Sequence, residues 1–252
     1  MAAATFKRVV LGLHRSVSEE TAIGAAADFA GLLRLDLLGL FAEDPNLLAL
    51  AGLPFGRELR TREGGWRPID AEQLARAMEA AARRARRAFV EKASSMQLTA
   101  DFRSVKGSIA ELVESLLSAG DIVAVPLPIS AAERATAQFS RLFEAASRSA
   151  AAVLLLPSEI ARQTGAIVAV AATPADTGVQ IGRIIAAAAK EEFVLVDAIA
   201  GARMRPESLS APLLSGMSER LVVLTRGAID EARVQAIASA RRVPVLVVEP
   251  EN

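Results

Sequence analysis

The chain has 252 residues, 52% hydrophobic and 23% charged, which is enough apolar material for a sizeable core. Its formal net charge is zero, so no global field favours nucleic acid or an anionic membrane surface. The absence of cysteine excludes disulfides, thiol nucleophiles and thiolate metal sites, and no apolar run approaches the roughly 20 residues of a membrane span. We therefore predict a soluble cytoplasmic protein without nucleic-acid or membrane partners.

The first half of the sequence alternates predicted strands with predicted helices. Ser18 is placed to cap a helix that follows a β-branched apolar run. Strands are predicted over 7–13, 36–42, 98–105, 121–125 and 152–156, and helices over 19–33, 69–95, 108–118 and 131–150. This alternation implies parallel pairing, right-handed crossovers and helices on both faces of one sheet.

The predicted helix over 69–95 has an apolar face and a basic face. A narrow stripe at about 100° per residue holds Leu74, Met78, Ala81, Ala85 and Phe89. The opposite face carries Arg76, Arg83, Arg84, Arg86 and Arg87. Acidic residues are interleaved with these arginines and stacking aromatics are absent, which indicates a solvated surface and not a nucleic-acid groove.

A long stretch rich in Gly and Pro, over 43–68, separates the second strand from this helix and contains the only Trp. Its apolar part, NLLALAGLPF, is open to two interpretations: a lid or contact for another chain, or simple packing over the first unit. Glu43 and Asp44 precede a proline, so a turn is a commoner explanation for them than an acid–base pair or Mg²⁺ ligands.

The pattern begins again after residue 160. Strands are predicted over 167–171, 193–199, 221–225 and 243–250, and helices over 176–189 and 230–240. The ends of the two halves match most closely, ASRSAAAVLLLP with ASARRVPVLVVEP. We predict two related domains, 1–160 and 161–252, the second shortened by loss of a helix and a strand.

The last strand of each half, AVLLLP and PVLVVEP, would be an exposed apolar edge if the units stood apart. Such edges invite pairing, so we expect these strands to pair with each other within the chain or with another subunit in a homodimer.

Polar residues near the end of the first strand are the candidate ligand contacts. His14, the only histidine, falls at the carboxyl edge of the sheet, where ligands of such folds bind. Arg15, Ser16 and Ser140 could join it around an anion, although ordinary surface residues are the commoner explanation. A lone histidine has no partner of its kind for a metal site, so no metal is predicted.

Established catalytic motifs are missing from the sequence. GxSxG, Walker A, GxGxxG after a strand and HExxH do not occur, so the sequence does not support nucleophilic hydrolysis, P-loop chemistry, dinucleotide binding or zincin activity. We predict that the protein is not an enzyme.

Three segments resemble the universal stress protein family in its tandem form. RVVLGLHRSVSEETAIGAAADFA resembles the opening strand and helix of that family, VKGSIAELVESLLSAGDIVAVP its third strand, short helix and fourth strand, and AVLLLP its closing strand. The resemblance implies two Rossmann-like, adenine nucleotide alpha hydrolase-like units with parallel sheets, the first of strand order 3-2-1-4-5. It also implies pairing of the two units through their last strands.

The nucleotide-binding pattern of that family is not kept. Its members place an acidic residue after the first strand and G-x2-G-x9-G-[S/T] after the fourth, because glycines let backbone N–H groups close on phosphates. Here the glycine positions fall on Pro126, Ile129 and Phe139, and only Ser140 matches. The acidic position falls on His14 and the following glycine on Arg15 in the first half, and the acidic position falls on Ala172 in the second. Proline lacks the N–H donor, so we predict no ATP cofactor.

The resemblance implies a regulatory or interaction protein of the bacterial stress response that has lost its ATP motif and acts on an unknown protein partner. The alternative is a binder of small molecules or nucleotides with a non-standard site near His14, Arg15 and Ser140. A third possibility, an enzyme of the wider hydrolase-like superfamily, lacks the SGGxDS loop of that group.

Overall fold

A computed structural model describes residues 6–13, 19–43, 57–60, 65–128, 130–134, 136–197 and 218–250, with the single positions 45, 49, 51, 53 and 216. Its strands are β1 (Arg8–Leu13), β2 (Asp36–Glu43), β3 (Arg57–Arg60), β4 (Gly65–Pro68), β5 (Ala100–Lys106), β6 (Asp121–Pro126), β7 (Ala152–Leu156), β8 (Ala166–Ala171), β9 (Phe193–Asp197), β10 (Glu219–Thr225) and β11 (Val245–Val248). Its helices are α1 (Glu19–Leu33), α2 (Ala71–Ser95), α3 (Ile109–Leu116), α4 (Ala131–Arg134), α5 (Ala137–Ser149), α6 (Thr177–Ala189) and α7 (Glu231–Arg241).

Nine of these strands form one sheet of order β5-β2-β1-β6-β7-β11-β10-β8-β9. Its first five members have the predicted order 3-2-1-4-5, and their neighbours pair in parallel. The last strands, β7 and β11, pair antiparallel, from Val245 opposite Leu155 to Val248 opposite Ala152. Pairing within the chain, one of the two alternatives expected from the sequence, is therefore what the structure contains.

Helices cover both faces of the sheet because its strands are apolar on both sides, as parallel strands usually are. One face packs against α1, α2 and α6 through side chains that include Ile23, Phe89 and Ile185. The other packs against α3, α5 and α7 through Val113, Phe143 and Ile237. The predicted α/β class is confirmed, whereas the division into domains 1–160 and 161–252 stays a prediction.

Helix α2 bears out its predicted two-sided character. Met78, Ala81, Ala85 and Phe89 are buried, and all five arginines of the basic face are exposed. Asp70 caps its first turn, accepting a hydrogen bond from the Gln73 backbone N–H at 2.9 Å. The alternating charges on its surface, such as Arg76 beside Glu72, form exposed i,i+4 pairs.

Two local predictions were wrong. The helix expected over 131–150 is interrupted, because Thr136 adopts an extended backbone and caps a new helix, α5, by accepting from the Phe139 N–H. The stretch over 43–68, expected to be irregular, contains the antiparallel ribbon of β3 and β4. The Arg67 side chain, on β4, donates a 2.8 Å hydrogen bond to Gln73 of α2, a tertiary contact that local pattern does not reveal.

Candidate functional site

The sheet has two topological switch points, where ligands of open α/β folds bind beyond the carboxyl ends of the strands. The first lies between β1 and β6 and the second between β8 and β10, since the chain order reverses at both. The β1–β6 ladder runs from Arg8 opposite Asp121 to Leu11 opposite Ala124 and stops before either strand ends. The ends of β1 and β6 therefore border the first crevice.

The loop after β6 is closed by apolar packing. Pro126 pairs with Leu156 at the end of β7, and the next backbone N–H, that of Leu127, donates to the Leu156 carbonyl at 2.7 Å. The Leu127 side chain is 3% exposed and belongs to the same core cluster as Phe139, which is 6% exposed. Two of the three positions that resemble phosphate-binding glycines thus carry a ring without an N–H donor and a buried phenyl group.

The polar groups beyond this loop bond to one another. Arg134 donates to the Pro128 carbonyl at 2.8 Å, and Ser130 accepts from the Glu133 N–H at 3.1 Å. The hydroxyl of Thr136 accepts a hydrogen bond from the Phe139 N–H, and the backbone carbonyl of Thr136 accepts one from the Ser140 N–H at 3.1 Å. The backbone N–H groups of Phe139 and Ser140, at the start of α5, are therefore both bonded to Thr136.

Of the predicted ligand contacts, the structure places two. Pro126 ends β6 and is half-buried, and Ser140 is exposed on the first turn of α5. His14, Arg15 and Ser16 lie outside the described residues, so their grouping around an anion stays a prediction.

At the second switch point an acidic side chain occupies the start of a helix. Asp176 is the N-cap of α6, and its Oδ1 accepts from the Gly178 N–H at 2.9 Å. Thr225, at the end of β10, donates its hydroxyl to the same carboxylate oxygen and itself accepts from the Gly178 N–H at 2.9 Å. The helix N-terminus, which attracts anions, is thus already bonded to an anion of the protein.

Gly178 is required for this close approach of α6 to β10. A Cβ at this position would lie 2.9 Å from Thr225 Oγ1 and 3.2 Å from the Thr225 backbone nitrogen. Such contacts are too short for a side chain, so glycine lets the helix N-terminus reach the strand. Asp176 and Thr225 were not among the predicted site residues, although Asp before Thr-Gly is a recognisable N-cap signal.

The buried charges lie at the opposite, amino ends of the strands. Asp121, which is fully buried at the start of β6, accepts two hydrogen bonds from the Arg8 guanidinium, at 2.9 and 2.8 Å. Glu219, fully buried at the start of β10, accepts two from Arg241, at 2.6 and 2.8 Å. Hydrogen bonding to these carboxylates raises the pKa of both arginines above the ordinary value. Both pairs therefore hold strand starts in place, away from the crevices.

Neither a metal-binding cluster nor a membrane-spanning helix occurs in the part of the chain that the structure describes. Among its described residues, no three His, Cys, Asp or Glu side chains come together in a group that could hold a metal ion. None of the helices described is both long and apolar enough to span a bilayer.

Among known proteins, similarity to this chain is found with solved structures. No protein-family model matches the chain, and a search of curated proteins also finds no match. Among solved structures, a universal stress protein from Archaeoglobus fulgidus DSM 4304 is similar with a TM-score of 0.59 at 12% identity, over 99% of each chain.

Two structures from Pseudomonas aeruginosa are also similar. A protein assigned to the universal stress proteins, from strain UCBPP-PA14, has a TM-score of 0.58 at 13% identity, over 99% of this chain and 95% of its own. A functionally unknown protein from strain PAO1 has a TM-score of 0.57 at 14% identity, over 98% and 94%. The chain therefore has the fold of the universal stress proteins, and the resemblance indicated by its sequence is confirmed at the level of the fold.

Proposed function

We propose that this protein is a regulatory or interaction protein of the universal stress protein type, without enzymatic activity, that acts in a bacterial stress response without binding ATP. The observation that carries the proposal is the loop after β6. Pro126 offers no N–H, and Phe139, which stands at another glycine position of the family pattern, has its side chain buried in the same core cluster as Leu127.

The second switch point supports the same proposal by electrostatics. A phosphate approaching the start of α6 would meet the carboxylate of Asp176, which Thr225 and Gly178 already hydrogen-bond. Two anions at one helix N-terminus repel each other, so the site that would attract a triphosphate is unfavourable for it.

An exposed aromatic side chain supports the interaction role. Trp66, the single Trp of the chain, lies on β4 with 64% of its surface exposed. Trp is enriched in protein–protein interfaces, where it supplies a large share of the binding energy. We propose that the ribbon of β3 and β4 contributes to contact with a protein partner.

The test is thermal unfolding of the full chain with and without about 1 mM MgATP. A ligand bound at about 10 µM would stabilise the folded state by roughly 2.7 kcal/mol, equivalent to a rise in Tm of several degrees. We expect no change. Tripolyphosphate is the control, since it reveals general anion binding on the basic face of α2; a rise with MgATP that tripolyphosphate does not reproduce would contradict the proposal.

A further inference from the structure

A cavity of about 480 Å³ lies beside α1, away from both switch points. It is bordered by one side of α1, the end of α2, the segment 157–165 and the starts of β8 and β10. No residue from the loop after β6, from α5 or from the Asp176–Thr225 contact is among those that line it. Its volume is within the range of about 300–1,000 Å³ that is typical of small-molecule sites.

The floor of the cavity is apolar and continuous with the core. Phe29 and Ile167 are buried members of the core cluster on this face, as is Leu221, and Ile160 packs against it. An apolar body placed here would gain stabilisation in proportion to the apolar area removed from water, at roughly 25 cal/mol per Å².

Two guanidinium groups in the cavity wall have weak partners. The contact of Arg162 with Glu219 is 3.9 Å long, and that of Arg220 with Glu191 is 3.8 Å, both beyond hydrogen-bond length. Neither side chain donates a hydrogen bond to another residue that the structure describes. Glu219 is already bonded by Arg241 at 2.6 Å, so it does not need Arg162.

The acidic residues of the wall are largely neutralised. Asp28 is paired with Lys92 at 2.9 Å, and Glu159 is paired with Arg242 at 2.8 Å. Glu20 lies exposed on the first turn of α1, where solvent screens its charge. Among the described residues that line the cavity, the cations without a close partner are therefore the guanidinium groups of Arg162 and Arg220.

We propose that this cavity binds a small monocarboxylic acid with an extended apolar body, its carboxylate held by Arg162 and Arg220. The guanidinium fork matches a carboxylate in shape and charge, and such charge-assisted hydrogen bonds are among the stronger polar contacts in proteins. The proposal is independent of the lack of ATP binding, because the two sites share no residue among those named for either.

Gly24 gives access to the cavity from α1. It lines the cavity, and a Cβ built on it has no other atom within 4 Å. A leucine here would place its Cβ in free space at the cavity wall, so the rest of its side chain is expected to fill part of the volume. Gly65 on β4 has the same free space but lies outside the cavity, so it is a matched control.

The first experiment measures binding of decanoate to the full chain by isothermal titration calorimetry, beside decanol and decylamine. These probes share an apolar body and differ in the charge of the head group. We expect saturable one-to-one binding of decanoate, at least about tenfold tighter than either of the others, since charged hydrogen bonds contribute that much or more. Equal or tighter binding of decylamine or decanol would overturn the proposal.

The second experiment tests the site with variants, each checked for folding by circular dichroism. Arg162→Met and Arg220→Met should each weaken decanoate binding by roughly tenfold to a hundredfold, because each removes a charged donor. Arg76→Met, which removes an exposed arginine of α2, should leave it unchanged. Gly24→Leu should abolish binding and Gly65→Leu should not. Wild-type affinity for decanoate in Gly24→Leu, or in both arginine variants, would show that decanoate binds elsewhere and would contradict the proposal.

Discussion

The two switch points of the sheet show how one topology can be closed in two chemical ways. Between β1 and β6 the closure is apolar, since Pro126 has no donor and Leu127 and Phe139 fill the core. Between β8 and β10 it is polar, since the Asp176 carboxylate binds the start of α6 and Thr225 binds the carboxylate. The apolar closure removes an N–H group that could hold a phosphate, whereas the polar closure leaves such an N–H group in place but bonds it to a carboxylate of the protein.

This difference teaches that a missing glycine motif is an incomplete guide to a site. In the second half of the chain Gly178 is present, and its N–H donates to an anion as in a phosphate-binding turn. That anion is the Asp176 carboxylate of the protein itself. The physical question at each switch point is which group completes the hydrogen bonds of the helix N-terminus.

The amino ends of the strands offer a second comparison, since each half buries an acid at the start of a strand beside its switch point, Asp121 on β6 and Glu219 on β10. Asp121 depends on Arg8, with one further hydrogen bond from the Ser118 N–H at 2.8 Å. Glu219 depends on Arg241 but also has Arg162 within 3.9 Å. The second pair therefore has a spare cation and the first has none close by among the described residues.

The largest predicted effect follows from that asymmetry. Arg8→Met should lower the free energy of unfolding by about 3 kcal/mol or more, because it leaves Asp121 buried without its cation. Arg241→Met should cost less, since Arg162 can move toward Glu219. Urea denaturation checks both. Arg103→Met is the matched control: Arg103 also bonds a carboxylate, Asp101, but at the surface, where a pair contributes about 0–1 kcal/mol. Equal losses in the Arg8 and Arg241 variants would contradict the role given to Arg162.

A smaller effect is expected where α6 meets β10. Gly178→Ala should destabilise the protein by about 1–3 kcal/mol, because the new methyl group overlaps Thr225. Gly24→Ala, in the free space of α1, should instead stabilise it by about 0.5–1 kcal/mol through helix propensity. Opposite signs in chemical denaturation would support the tight contact of the second switch point, and a neutral Gly178→Ala would show that the helix end can move.

The smallest effects concern two surface carboxyls, one in each block. A hydrogen bond from Arg103 lowers the pKa of Asp101, whereas desolvation, aided by the charge of Glu144, raises the pKa of Glu231. The contribution of ionised Asp101 to the free energy of unfolding is therefore fully present above the pKa that Asp101 has in the unfolded chain. It is lost as pH falls through the lower pKa of Asp101 in the folded protein. The contribution of protonated Glu231 is fully present below the pKa that Glu231 has in the unfolded chain. It is lost as pH rises through the higher pKa of Glu231 in the folded protein.

An NMR titration of the side-chain carboxyls between about pH 2 and 7 checks these directions, since ordinary Asp and Glu titrate near 4. Asp101 should titrate at a lower pH than ordinary Asp, and Glu231 at a higher pH than ordinary Glu. Arg103→Met should return Asp101 toward its ordinary value and leave Glu231 unaffected. A shift of both carboxyls in that variant would mean that the direct hydrogen bond is not the cause.

Much of the architecture was predictable because it depends on local periodicity. Short, largely apolar runs alternating with stretches of helical spacing predicted the nine strands of the main sheet but not β3 and β4, and the stripe from Met78 to Phe89 is buried as predicted. The order of the first five strands followed from the family resemblance. The loop after β6 was interpretable for the same reason, since the loss of an N–H at Pro126 is a property of that residue alone.

The sequence by itself determined the α/β class, the alternation of elements and the chemistry of the β6 loop, because neighbours in the chain decide propensity and periodicity. Only the tertiary structure decided that β7 and β11 pair within the chain and not between subunits, that Asp176 meets Thr225 across 49 positions, and that Arg162 and Arg220 share a cavity with α1. These contacts join residues far apart in the chain, and their geometry depends on how whole helices and strands pack, which no local pattern records.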